Sequence, residues 1–269
     1  GVRHLADRPL PVTSSDVNGA VIIDAAEGLR SLCVTQRPIL PDKLPNVFIA
    51  SFITGPFQTN CYLLAREQGS ECVIVDPGMG AEEFLGDALR THHLVPVAIA
   101  VTHGHIDHIG SARQVGDEYG IPVLCPRDDR HLLSDPMAGL SDFARPLIEQ
   151  WYGSTTLREP EQVVDVEPFS HHQFANLDLE FLHAPGHTPG CSMIRTIDAE
   201  FGPIVMSGDV VFAGSIGRTD MPGGDPAQMS HSLSDVVWSL DDSTYVLPGH
   251  GGPTTMANER LTNPFLGRR

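Results

Sequence analysis

A histidine-rich stretch that follows an apolar run constrains this chain more than any other feature. Residues 95–101 are almost entirely apolar, which predicts a buried strand. The next residues read Thr-His-Gly-His-Ile-Asp-His-Ile-Gly and contain His103, His105, Asp107 and His108. Alternate side chains of an extended segment share a face, so His103 and His105 point the same way, whereas Asp107 and His108 follow where the chain turns into a helix. One loop at a strand's carboxyl end therefore offers ligands in two directions.

Three later loops repeat this design, each with one potential ligand just beyond an apolar run. His187 follows residues 177–183, Asp209 follows residues 204–206, and His250 follows residues 245–247. Glycines beside these residues let the backbone approach a small ion closely. A single such histidine is more often a satisfied polar residue than a ligand. Four strand ends that converge favour a metal site.

The seven side chains suit two cations better than one. Nitrogen and carboxylate donors without thiolate are typical of zinc, iron or manganese, and we expect two divalent ions, zinc first. Two ions about 3.5–4 Å apart share a water and lower its pKa, which produces hydroxide near neutral pH. We take both carboxylates of the set as the candidate catalytic residues. The expected ligands are His103, His105 and His187 for the first ion, Asp107, His108 and His250 for the second, and Asp209 as the bridge.

The remaining pattern predicts one main domain preceded by an extension. Residues 1–45 are rich in proline, and we expect them to pack on a main domain at residues 46–269. Strand-like runs in that domain come in two series, each followed by helix, which predicts two packed sheets with helices outside. The expected strands lie near 47–52, 61–64, 72–75, 95–101, 123–124, 163–166, 177–183, 192–196, 204–206 and 244–247, and the expected helices near 81–93, 109–119 and 226–240.

Residues 127–160 separate the predicted strand at 123–124 from the next one at 163–166. Their pattern predicts helix and includes the aromatic residues Phe143, Trp151 and Tyr152. A segment inserted at this point could form a lid over the site. We favour packing of each aromatic side chain against the core, because large apolar rings dominate core energetics.

Charge and cysteine content narrow the choice of partners. The net charge is −17, from 17 basic and 34 acidic residues, and such a surface repels the phosphates of nucleic acids. Cations bound at the site would make the local electrostatic potential positive, so small anionic substrates remain compatible with the net charge. Five scattered cysteines without a Cys-x-x-Cys pair indicate reduced thiols in the cytoplasm. No apolar run is long enough to span a membrane and no leader pattern is visible, so we expect a cytoplasmic protein; the oligomeric state stays open.

The order of the candidate ligands resembles the metallo-β-lactamase superfamily, and within it the glyoxalase II-like hydrolases. The resemblance runs from about residue 47 to the end of the sequence and includes Asp76 ahead of the seven ligands. It implies an α/β (α+β) fold, an αββα sandwich of two mixed sheets, with Asp76 supporting the histidine loop. The Gly-Arg-Thr-Asp segment at 217–220 is similar to small bacterial glyoxalase II-like proteins and to persulfide dioxygenases. We interpret Arg218 and Asp220 as a structural ion pair near the site.

The resemblance implies a hydrolase that cleaves an acyl thioester, such as hydroxyacylglutathione, with a hydroxide that bridges the two metals. One alternative is a persulfide dioxygenase that holds a single non-haem iron through His103, His187 and Asp209. A second is hydrolysis of a lactone or β-lactam at the same centre, although the lactamases generally lack the bridging aspartate. Phosphodiesterases of the ribonuclease Z type share the ligands, but the acidic surface argues against RNA. A purely structural metal domain needs fewer ligands than these seven.

Overall fold

The computed structural model describes residues 20–21 and 46–267. Ala20–Val21 forms strand β1 and pairs antiparallel with β2 (Phe48–Thr54), with Ala20 opposite Phe52. The other residues of the expected extension, 1–19 and 22–45, lie outside the described residues. The division into an extension and a main domain therefore stays a prediction.

Within residues 20–21 and 46–267, the first sheet contains seven strands in chain order. Strands β1 to β4 are antiparallel neighbours, and β4 to β7 run parallel. Parallel strands end at the same edge of a sheet, so the residues that follow β4 and β5 emerge side by side. After β2 the strands are β3 (Thr59–Ala65), β4 (Glu71–Val75), β5 (Val95–Ala100), β6 (Val123–Pro126) and β7 (Val163–Val166).

The second sheet contains six strands from the later half of the chain, counted over the part that the structure describes, and a two-stranded ribbon lies beside it. The sheet uses β8 (His171–Phe174), β9 (Leu177–His183), β10 (Ser192–Asp198) and β11 (Gly202–Gly208). The separate ribbon pairs β12 (Val211–Phe212) with β13 (Ser215–Ile216). The other two strands of the second sheet are β14 (Tyr245–Pro248) and β15 (Thr254–Thr255). Its order is β15-β14-β11-β10-β9-β8. Strands β11 and β14 are parallel, and β9 shares their direction because β10 is antiparallel to both of its neighbours.

Helices cover the outer face of each sheet. In the described residues the α-helices are α1 (Glu82–His92), α2 (Ile106–Ile109), α3 (Ala112–Tyr119), α4 (Arg145–Tyr152), α5 (Pro226–Asp235) and α6 (Met256–Thr262). Apolar residues of α1 to α4 pack with the first sheet, and those of α5 and α6 pack with the second. The predicted sandwich of two mixed sheets with helices outside is confirmed.

The alternation of side chains along the strands explains this layering. In β3, Leu63 packs toward the helices whereas Leu64 packs between the sheets, and both are fully buried. Phe181 and Ile194 of the second sheet join Leu64 in the inter-sheet core. Strands apolar on both faces suit a sheet covered on both sides. Burying these faces fixes how the two sheets align, and so where their strand ends meet.

The segment 127–160 differs from the expectation. It contains three 3₁₀ helices, Arg127–Leu133, Pro136–Gly139 and Asp142–Ala144, and its α-helix is α4. Core packing was wrong for Phe143, which is 95% exposed, and incomplete for Trp151, which is 42% exposed. Tyr152 does pack against the core of the first sheet. Short 3₁₀ helices replace the expected long helix because proline lacks a backbone N–H group and interrupts a helix. Pro136, for example, begins a new 3₁₀ helix.

In the part of the chain covered by the structure, no helix is long and apolar enough to cross a membrane.

Candidate metal centre

Five strand ends meet at one edge of the sandwich and carry every candidate ligand. In the first sheet, Asp76 follows β4 and the histidine loop follows β5. In the second sheet, the residues after β9, β11 and β14 include His187, Asp209 and His250. The backbone of Asn60 donates to the carbonyl of Gly249 at 2.8 Å, which joins the two sheets beside the site. The sequence-predicted ligands are therefore brought together by the fold.

The donor atoms form three groups in which all ligand atoms lie within 4.8 Å of one another. These groups are His103, His105 and His187; His103, His108 and Asp209; and Asp107, His108 and His250. The first and third groups coincide with the two ligand sets assigned from the sequence. Histidines elsewhere in the described residues, such as His92 and His172, belong to no such group.

The first group, which we call the first triad, contains His103, His105 and His187. The Nδ1 atom of His105 lies 2.8 Å from Nε2 of His187, and their rings are almost perpendicular. The Nε2 atom of His103 is buried and has no hydrogen-bond partner. A buried nitrogen without a partner is costly, and a cation is the partner that three converging imidazoles accept.

The second triad contains Asp107, His108 and His250. The Oδ2 atom of Asp107 lies 3.2 Å from Nε2 of His250 and 3.5 Å from Nε2 of His108. The hydroxyl of Thr59 donates to the same oxygen at 3.2 Å. As in the first triad, a buried nitrogen, Nε2 of His108, has no hydrogen-bond partner. Each triad therefore fits a cation, because each contains a buried histidine nitrogen that lacks a hydrogen-bond partner.

Asp209 lies between the triads and directs one oxygen to each. Its Oδ2 atom is 3.4 Å from Nε2 of His187 in the first triad. Its Oδ1 atom is 3.3 Å from Nε2 of His108 and 3.6 Å from Nε2 of His250 in the second. A carboxylate with its oxygens divided in this way has the geometry of a bridging ligand.

Two glycines permit this close approach. A Cβ atom on Gly249 would lie 2.6 Å from Oδ1 of Asp209 and equally close to Cε1 of His108. A Cβ atom on Gly217 would lie 1.8 Å from the carbonyl oxygen of Asp209. Side chains at either position would push Asp209 out of place.

The electrostatics of the site stabilise positive charge. Burial lowers the pKa of His105 to about 4, and burial with the neighbouring imidazoles lowers that of His103 well below its ordinary value, so both rings keep lone pairs for a cation. Burial alone would also lower the pKa of His108, but Asp107 and Asp209, together with Asp76, raise it well above its ordinary value. Burial opposes the ionisation of Asp107 and Asp209, yet His108 and other histidines hold both pKa values low.

Hydrogen bonds behind the site orient three of the histidines. Asp76 accepts from the Thr102 backbone and hydroxyl at 2.7 Å each, and from Nδ1 of His108 at 2.9 Å. The Thr102 hydroxyl lies 3.1 Å from Nδ1 of His103. Nδ1 of His187 donates to the carbonyl of Arg218 at 2.7 Å. In each case the Nε2 atom is left to face the cluster, as a ligand requires. These contacts agree with the supporting role expected for Asp76.

The Arg218–Asp220 ion pair is present as expected. Two hydrogen bonds of 2.6 and 2.8 Å join the guanidinium to the carboxylate, and both side chains are exposed. The Arg218 hydrogen bond lowers the pKa of Asp220 to about 2. The pair shapes the segment whose backbone orients His187.

Sequence reasoning missed Asp129, a fully buried carboxylate behind the first triad. It accepts hydrogen bonds from the backbone of Gly104 and Gly190 and from the hydroxyl of Thr188. Its sequence neighbours, Arg127 and Asp128, are charged and exposed, so the stretch looked like a solvated turn. A signal that could have marked it is its place three residues after the end of the apolar strand β6.

Comparison with known proteins agrees with this geometry. A family model described as the metallo-beta-lactamase superfamily matches residues 54–250. An uncharacterized protein of Mycobacterium tuberculosis is 42% identical over 223 residues, which cover 82% of this chain and 98% of that protein. The hydroxyacylglutathione hydrolase GloC of Haemophilus influenzae is 31% identical over 211 residues, which cover 78% and 93%.

Solved structures with the same fold include two of similar size. The B3 metallo-beta-lactamase BLEG-1 superposes with a TM-score of 0.68 at 35% identity and covers 81% of this chain and 99% of its own. TTHA1623 in a di-iron-bound form superposes with a TM-score of 0.64 at 34% identity and covers 80% and 98%. Fold, sequence match and the order of the ligand-bearing loops agree: the chain belongs to the metallo-beta-lactamase superfamily and is a metal-dependent hydrolase of that family.

Proposed function

We propose that this protein is a dinuclear metal-dependent thioester hydrolase of the glyoxalase II type. The observation that carries the proposal is the position of Asp209, whose two oxygens face two triads of donor atoms. The single-iron alternative would use only His103, His187 and Asp209, and it would leave the donor atoms of the second triad without a metal. The similarity to GloC, a hydroxyacylglutathione hydrolase, supports an acyl thioester as substrate.

The chain supplies the ligands and the shape of the centre. In this proposal His103, His105 and His187 hold one ion, the second triad holds the other, and Asp209 bridges them. Two divalent ions bound there supply hydroxide at neutral pH and polarise a carbonyl oxygen. The ligand atoms grouped at the cluster belong to histidines and aspartates, and the proposal assigns no side chain as the nucleophile.

The protein also keeps the bridge and the second triad ionised and aligned. The hydroxyl of Thr59 donates to Asp107, and the backbone beside Gly249 leaves room for Asp209. The low pKa values of both aspartates keep them as carboxylates at neutral pH, because the surrounding histidines offset the cost of burial. Asp107 and Asp209 are therefore our proposed catalytic residues.

We propose zinc as the native metal, with iron as the main alternative. Nitrogen and carboxylate donors accept either metal. The similarity to TTHA1623, solved in a di-iron-bound form, supports the iron alternative, and manganese suits the same donors.

The proposal also covers partners and location. The substrate is a small molecule, an acyl thioester, and neither nucleic acid nor membrane is involved. Cys61, Cys72, Cys125 and Cys191 are buried free thiols, as is usual in a reducing cytoplasm, and we place the protein there.

A second candidate function is hydrolysis of β-lactams at the same centre. It is favoured by the 35% identity to BLEG-1, described as a B3 metallo-beta-lactamase. The bridging position of Asp209 weighs against it, because the lactamases of the superfamily generally lack that aspartate.

The test is a substrate panel with a matched pair of variants. Protein purified without chelator is assayed with hydroxyacylglutathione and other acyl thioesters, with β-lactams and lactones, and with glutathione persulfide under an oxygen electrode. We expect thioester hydrolysis without oxygen uptake, reduced at least about a hundredfold in Asp209→Asn. The control Asp241→Asn alters an exposed aspartate and should match the wild type. Oxygen-dependent persulfide turnover or exclusive β-lactam hydrolysis would overturn the thioester proposal.

A further inference from the structure

Asp129 joins the two loops that carry the first triad. Its Oδ2 atom accepts from the Gly104 backbone at 2.9 Å and from the Thr188 hydroxyl at 2.6 Å. Its Oδ1 atom accepts from the Gly190 backbone at 2.7 Å. Gly104 stands between the first two histidines of the triad, and Thr188 directly follows the third. One carboxylate thus fixes the distance between two segments that are far apart in the sequence.

The first triad needs such a support because of His105. Hydrogen bonds to other groups orient His103, His108 and His187. The outward nitrogen of His105, Nε2, is buried and has no hydrogen-bond partner. Apart from the contact of its Nδ1 atom with His187 inside the triad, its ring direction depends on the position of the backbone, and the Gly104 hydrogen bond to Asp129 is a fixed point beside it.

Asp129 also lacks a cationic partner. It is fully buried, and among the residues the structure describes no lysine, arginine or histidine forms an ion pair with it. A buried carboxylate without a counter-charge is unfavourable even when its oxygens accept three hydrogen bonds. A cation bound by the adjacent triad would supply that counter-charge.

We propose that Asp129 is the positioning residue of the first triad, holding the loops of His103, His105 and His187 at the spacing that binds a cation. This inference rests on the proposed metal centre and is independent of the substrate. Asp76 holds the corresponding position behind His108 of the second triad. Each triad thus has its own buried supporting carboxylate.

The test compares Asp129→Asn with Asp128→Asn in the full chain. The amide introduced by Asp129→Asn would direct its own N–H group at a donor that now binds a carboxylate oxygen. Asp128 is the preceding residue in the same 3₁₀ helix and is exposed, so it controls for the substitution itself. Zn²⁺ is titrated into metal-free protein by calorimetry, and folding is checked by thermal unfolding of the metal-free proteins.

We expect two binding events in the wild type and in Asp128→Asn. In Asp129→Asn one event should weaken by about 10–100-fold, and it should be the event that His105→Ala abolishes. Thr188→Val removes one of the three hydrogen bonds and keeps the carboxylate, so the same event should weaken less. If Asp129→Asn does not fold, Thr188→Val decides the question alone.

Three results would overturn the proposal. They are wild-type affinity for both events in Asp129→Asn, equal weakening of both events, and a weakened event that His105→Ala leaves intact. Failure of the proposed function gives a different result, because the wild type would then bind fewer than two ions or leave thioesters intact.

Discussion

The carboxylate of Asp76 accepts a hydrogen bond from Nδ1 of His108 at 2.9 Å, and both side chains are buried. This contact fixes which nitrogen of the ring faces the second triad. Asp76 itself has a positive φ of 50°, a conformation that few residues other than glycine, asparagine and aspartate adopt. The backbone strain brings the carboxylate under the histidine loop, where it also holds Thr102.

We expect Asp76→Asn to weaken metal binding without abolishing it. The amide can still accept one hydrogen bond, but it loses the charge that stabilises the His108 ring in its orientation. The affinity of the second triad for Zn²⁺ should fall by about 10–100-fold. Titration calorimetry on Asp76→Asn, with Asp241→Asn as the control, measures this change. Unchanged affinity would show that Asp76 serves the fold alone.

Gly249→Ala should disable the centre while the fold survives. The new Cβ atom would lie 2.6 Å from Oδ1 of Asp209 and 2.6 Å from Cε1 of His108. Gly252, three residues later, has no atom within 4 Å of such a Cβ, and its backbone does not require glycine. Gly252→Ala should therefore keep full activity and two metals, whereas Gly249→Ala should lose at least one metal. Equal behaviour of the two variants would contradict the bridging role of Asp209.

Removal of metal should lower the thermal stability. The buried nitrogens of His103 and His108 lose the partner that a cation provides. A ligand present at about 100 times its Kd adds about 2.7 kcal/mol, which corresponds to about 5–10 °C in Tm for a domain of this size. Calorimetric scans with chelator and with added Zn²⁺ measure the difference. The shift should shrink in His105→Ala, and a shift that persists in full there would place the stabilising ion elsewhere.

Four cysteines should resist alkylation in the folded protein. Burial raises the pKa of Cys61, Cys125 and Cys191 well above the ordinary value and that of Cys72 to about 12. The reactive thiolate is therefore scarce at about pH 8, and access is blocked as well. Peptide mapping after iodoacetamide treatment should find these four modified only after unfolding. Rapid modification in the native state would contradict their burial.

The sequence predicted which polar side chains cluster better than it predicted the chain between them. The clustered residues follow apolar strands, and both signals are local: a run of buried residues, then a polar residue beside glycine. Strand β8 escaped notice because His171-His172-Gln173 shows no apolar alternation. It forms because Ala175 and Asn176 both adopt positive φ and close a two-residue hairpin onto β9.

Asp129 shows a second kind of residue that a sequence pattern does not predict. Its neighbours in the sequence are charged and exposed, and its partners, Gly104, Thr188 and Gly190, are distant in the chain. Its place shortly after the apolar strand β6 is a local signal, but that place alone does not distinguish a buried carboxylate from a solvated one. Only the folded arrangement of the two sheets reveals that it joins the loops of Gly104 and Thr188 by hydrogen bonds.

The central claim is that this chain holds two metal ions with Asp209 between them. The most direct measurement is the metal content per chain, by mass spectrometry of the protein purified without chelator and then equilibrated with Zn²⁺. We expect two ions per chain in the wild type and fewer than two in Asp209→Asn, with Asp241→Asn as the wild-type control. One ion or none in the wild type, or two ions in Asp209→Asn, would contradict the claim.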